Sequence, residues 1–295
     1  MTGYIFLFIT IILFSSMETA GRLIHTSIGP LTMTFMRFFI GFLVLLPFVL
    51  FSRKERMILR SIKGRALFDL FSLGFLNVFL SMMLLQIAVH IGCASIPAIL
   101  ISSNPLFVYL ITAFSLKSIS KRHVIKILSG MIGIAGIAIF TSSGSFDNSF
   151  SASLLSLLAA FLFALYTLKA HDKVAEFSNL TVTTLSFVFG SLCYLPFIFI
   201  FEDFSSLYML NIKEAGVMLY MGIFVTGIGY ILFFEGLKRI KVHIGSMVFF
   251  LKPFFAILFS FLFLKERILP IQMFFAAFML YSIMPEIRKK SADNT

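Results

Sequence analysis

The chain has 295 residues, 59% of them hydrophobic and only 13% charged, with a mean hydropathy of +1.02. Soluble domains carry about 45–50% apolar residues. Here the excess is spread along the chain in runs of about 20, which excludes an ordinary soluble domain and points to an all-α polytopic membrane protein. The net charge of +11 is not read as a nucleic-acid footprint, because Lys and Arg gather in links on one side of the apolar runs.

In chain order, the runs predict ten transmembrane helices near 4–22, 31–51, 66–88, 93–115, 125–141, 151–169, 182–201, 215–236, 243–264 and 269–287. Each is about long enough to cross roughly 30 Å of hydrocarbon. The opening "MTGYIFLFITIILFSS" lacks a basic n-region and an A-x-A site, so it reads as a retained first helix and not as a cleaved signal. Cys93 and Cys193 fall at or inside apolar runs and read as small buried hydrophobes. No Cys/His cluster has metal spacing, and no metal or cofactor is expected. Gly130, Gly133 and Gly136 in the fifth span have helical spacing and suggest tight helix packing.

Ten spans place both termini on one side. With the termini inside, 18 of the 24 Lys and Arg fall in inner links and four in outer links; Arg37 and Lys252 lie within spans. This asymmetry predicts cytoplasmic termini in a cell or inner membrane.

The segments "FFIGFLVLLPFVLF" (38–51) and "FVFGSLCYLPFIFI" (187–200) align Gly41 with Gly190 and Pro47 with Pro196. Gly74 and Gly222, and Pro105 and Pro253, correspond at nearly the same interval. Two five-helix units follow, 1–144 and 145–295. Five is odd, so the second unit is expected to be inverted relative to the first, around a central cavity, as in many secondary transporters.

The stretches "SSNPLFVYLITAFSLKSIS" and "FLKPFFAILFSFLFLKERI" each carry a Pro in the fourth helix of the unit, then an apolar run and a charged link. Together they resemble the repeat signature of the drug/metabolite transporter superfamily, in its ten-helix EamA-type branch. Arg37 in "TFMRFFIGF" matches an Arg common in that family's second helix. Lys117 and Ser118 stand where the signature prefers Gly and Glu, and the tenth span lacks the glycines of the fifth. The resemblance implies a two-fold basket of helices and export of amino acids or related metabolites.

Charges inside a bilayer mark sites by default, and three are buried by these spans: Glu18, Arg37 and Lys252. At about 1.5 Å per residue, Glu18 and Arg37 lie at comparable depth. Their pairing as a structural lock is one reading; Glu18 as a cavity group binding a cation or a proton is the other. Lys252 is near the midplane and is read as a cavity residue favouring an anionic substrate group, or as a structural lysine paired with a carboxylate or carbonyls. Its counterpart is Asn104. Pro105 and Pro253 lack an N–H and are expected to break their helices, as hinges. Asn77, Gln86 and Tyr230 are further cavity candidates, with interhelical hydrogen bonding the alternative.

These features predict a secondary active transporter that exports a small metabolite, of amino acid or organic anion class, by alternating access. A proton-coupled exporter of multiple drugs or cationic compounds is the alternative, and an importer a further one. Neither "GxxxxGK[ST]" nor "HExxH" occurs, so neither nucleotide-driven pumping nor an enzyme is expected. The expected partners are a small-molecule substrate, a coupling proton or counter-substrate, and the lipid bilayer. No nucleic acid is expected, and the chain is expected as a monomer or homodimer.

Overall fold

The structure, a computed structural model, describes residues 2–91, 95–116, 146–202 and 204–265. The fifth and tenth expected spans, and the glycine series in the fifth, lie outside them. The described residues form nine main helices: α1 (Thr2–Ile24), α2 (Pro30–Phe51), α3 (Arg53–Ser61), α4 (Arg65–Ile91), α5 (95–116), α6 (Phe146–Glu176), α7 (Asn179–Phe201), α8 (Ile212–Leu237) and α9 (Val242–Leu264). Seven are long and apolar enough to cross a membrane, and within α5 the segment Pro97–Ala113 forms a shorter apolar helix. Two differences from expectation stand out. The link after α2 is itself a helix, α3, started by Ser52, whose hydroxyl accepts from the Glu55 amide at 3.4 Å. α6 runs past its apolar core to Glu176, because "AHDKVAE" still favours helix once it leaves the apolar layer.

Four helices depart from α geometry at matching places. α4 widens to a π-helix over Phe75–Ser81, and α8 does so over Met221–Ile228. α5 tightens to a 3-10 turn over Ile101–Ser103, and α9 over Ser246–Leu251. In both, the α-helix resumes at the residue before a proline, at Asn104 and at Lys252. The ring of Pro253 therefore sits in the first turn of a new α segment, where a missing N–H costs nothing.

The packing partners also match. α1 packs on α8 and α9, while α6 packs on α4 and α5. α2 packs on α8, α7 packs on α4, and α2 and α7 lie side by side. Glycines set the closest approaches. A Cβ at Gly74 would strike the Ser186 carbonyl, and one at Gly190 would strike Val78 and the Gly74 carbonyl. At the corresponding crossing, a Cβ at Gly41 would lie 3.1 Å from Thr226 Cγ2 and 3.3 Å from the Gly222 carbonyl. The aligned glycines are thus the contact points of α2 with α8 and of α7 with α4, where small residues let backbones meet.

Acidic side chains tie the helix ends. Glu202, just past α7, accepts from the Leu31 and Thr32 amides at 2.8 Å each, capping the start of α2. Glu55, just past α2, accepts from the hydroxyls of Ser178 and Thr181 at the start of α7, the latter at 2.6 Å. Each helix is therefore followed by the carboxylate that finishes the other. The start of α1 meets Arg239 and Ile240, which follow α8. At that end lie α3, the end of α6 and the 238–241 link, so the basic links of the described residues gather at one end of the bundle. Asp69 and Glu235 also lie at that end, paired with Lys173 at 2.9 Å and Arg239 at 2.8 Å.

Candidate functional site

The apolar core leaves little to answer a polar side chain, so each buried polar group must find its own partner. Glu18 on α1, Arg37 on α2 and Lys252 on α9 are 1%, 1% and 3% exposed. Lys252 opens the α segment that follows the 3-10 turn of α9, and its ammonium donates to Glu18 Oε1. This corrects the expected lock between Glu18 and Arg37. Depth along the bundle permitted that pairing, but the rotation of α1 aims Glu18 at α9. Pairing with a carboxylate is one of the two arrangements expected of Lys252. Glu18 keeps one oxygen, Oε2, without a hydrogen-bond partner.

Among the described residues, Arg37 finds no carboxylate within ion-pair distance. Its Nη1 donates to Met17 Sδ at 2.9 Å, and its guanidinium lies 4.6 Å from the centre of the Phe38 ring. Nε and Nη2 have no hydrogen-bond partner. A thioether is a weak acceptor, so the arginine is held mainly by apolar and aromatic surface.

Arg37 and Lys252 border one narrow cavity of about 20 Å³, room for about one water. Tyr230 borders it too, and apolar walls are supplied by Phe14, Met17, Phe163 and Phe249, among others. Asn77, in the π segment of α4, donates to the Tyr230 hydroxyl at 3.2 Å. Gln86 and Asn104 are buried but do not border this cavity. Gln86 donates to Met33 Sδ at 3.2 Å, and Asn104 reaches the Ala160 carbonyl at 3.5 Å. The structure thus brings Glu18, Lys252, Arg37, Tyr230 and Asn77 to one region and gives Gln86 and Asn104 interhelical contacts.

Sequence reasoning missed the residues that hold this region in shape. Tyr194 donates to the Val78 and Phe79 carbonyls at 2.6 and 3.1 Å. The π segment loosens the regular i→i+4 ladder there, and a buried phenol answers it. Asn179 donates to the Ile231 carbonyl at 2.8 Å, just past the π segment of α8. The aromatic walls carried no signal of their own, since the chain has 40 Phe residues.

Comparison with known proteins agrees with this architecture. The model of the EamA-like transporter family matches residues 1–140 and 150–284. An uncharacterized transporter of Clostridium kluyveri is 29% identical over 276 residues, covering 90% of this chain and 86% of its own. The uncharacterized transporter YetK of Bacillus subtilis is 27% identical, covering 90% and 81%. Protein PecM of Dickeya dadantii is 28% identical over 201 residues, covering 68% and 67%. A solved crystal structure superposes with a TM-score of 0.75 at 17% identity, over 95% of this chain and 94% of its own, which speaks to fold alone.

Proposed function

This chain belongs to the EamA-like transporter family, and on that ground we propose that it is a secondary active transporter exporting a small organic anion or zwitterion by alternating access. The observation that carries the anionic preference is the charge balance at the cavity. Two cations and one carboxylate are buried there, and the carboxylate is already paired. A site with that surplus disfavours a cationic drug. The matched packing of α1, α2, α4, α5 with α6, α7, α8, α9 supports an arrangement of two related halves that rock about the cavity. The π and 3-10 stretches support bending at those levels, with Pro105 and Pro253 as hinge positions. The asymmetry of basic links supports cytoplasmic termini.

Proteoliposomes test this reading. Purified protein should drive counterflow of labelled organic acids or amino acids when the same compound is loaded at high concentration on the opposite side. Absence of flux for every acid and amino acid tried, alongside flux of a cationic dye, would favour the cation exporter. In the same vesicles, Glu18→Gln should abolish the response to an imposed pH gradient. An unaltered response would remove Glu18 from the coupling step.

A further inference from the structure

We infer that Arg37, and not Lys252, is the cation that receives the substrate's negative group, and that the substrate is a monocarboxylate with an apolar body. This rests on the transporter reading for its biological meaning, but the binding site is argued from the cavity alone.

The two buried cations are not equivalent. The ammonium of Lys252 is answered by Glu18 Oε1, so the pair contributes no net charge. Arg37 is equally buried, and among the described residues its side chain is held by a thioether and a phenyl ring and by no carboxylate within ion-pair distance. A buried charge left unpaired is costly, and an unsatisfied buried group calls for a missing partner. Its two unpartnered atoms, Nε and Nη2, form one edge of the guanidinium. That edge offers two parallel N–H donors, the fork that matches both oxygens of one carboxylate.

The rest of the cavity narrows the choice. The single uncompensated charge fits a monoanion and does not balance a dianion such as a phosphate monoester. Phe14, Met82, Leu85, Phe163 and Phe249 offer an apolar body no hydrogen bonds and close packing. As the helices stand, the cavity holds about 20 Å³, room for about one water, so its apolar walls must part to admit the ligand.

Equilibrium binding of radiolabelled benzoate to the purified protein, with neutral benzamide as its isostere, tests the assignment. Benzoate should bind saturably and benzamide at least about tenfold more weakly, because only the former has two anionic oxygens for the fork. Arg37→Gln should abolish benzoate binding. Arg37→Lys keeps the charge, loses the fork and should weaken binding about tenfold; it decides the matter if Arg37→Gln does not fold. The double variant Glu18→Gln/Lys252→Met should weaken binding less than Arg37→Gln does. The assignment is overturned if wild-type protein binds neither compound or both equally. It is equally overturned if binding survives Arg37→Gln, if Arg37→Lys binds like wild type, or if the double variant is the more damaging. Binding through Arg37 without flux in proteoliposomes would sink the transporter reading and leave this one standing.

Discussion

Lys252 Nζ donates to Glu18 Oε1 across 234 residues of chain, joining α9 to α1 in the apolar core. Removing one member strands the other charge without its counter-ion, which costs about 3–5 kcal/mol in buried pairs. Lys252→Met and Glu18→Gln should therefore each lower the thermal unfolding temperature in detergent. The double variant should recover a large part of the loss. A double variant as unstable as the sum of the singles would show that the two side chains do not depend on each other.

The glycine crossings make a prediction with two signs. Gly74→Ala places a methyl group on the Ser186 carbonyl, which as backbone cannot step aside. Overpacking of this kind costs about 1–3 kcal/mol. Gly216→Ala meets nothing within 4 Å among the described residues and lies in helix. It should be neutral or stabilise by about 0.5–1 kcal/mol through reduced freedom of the unfolded chain. Unfolding temperatures of the two variants, measured side by side, check both signs.

Glu202 caps α2 through two amides, and Gly29 leaves the space its carboxylate occupies. Glu202→Ala should cost about 1–2 kcal/mol, from the lost cap and the lost charge at a helix start. Gly29→Ala should produce a similar loss by pushing the carboxylate out, and combining the two should add little. Additive losses would mean that Gly29 acts through something other than Glu202.

Orientation is open to direct chemistry. In a background with Cys93 and Cys193 replaced by Ser, Lys54→Cys and Lys213→Cys place exposed thiols at opposite ends of the bundle. A membrane-impermeant maleimide added to intact cells should label the thiol at 213 and spare that at 54. The reverse pattern would overturn the cytoplasmic placement of the termini.

Much of this fold was legible because a bilayer is a demanding solvent. A helix that crosses it must be apolar for about 20 residues, so the positions of α1, α2, α4 and α6 to α9 could be read from hydropathy alone. Glycines aligned between the two halves became visible in sequence because a close backbone crossing excludes every larger side chain, as at Gly74 and Gly190. The burial of Glu18, Arg37 and Lys252 was legible for the same reason: no turn or link was near enough to carry them out.

Their partners were not legible. Depth in the membrane follows from counting residues, but the direction a side chain takes around its helix depends on crossing angles set by all the neighbours together. The π segments, the answer of Tyr194 to the Val78 and Phe79 carbonyls, and the lone position of Arg37 are likewise properties of the packed bundle. Sequence by itself determined that three charges would be buried among apolar helices. Only tertiary structure decided that two of them neutralise each other and that the third, Arg37, borders the cavity with its Nε and Nη2 donors unused, because ion pairing depends on a few ångströms of side-chain geometry that no one-dimensional pattern encodes.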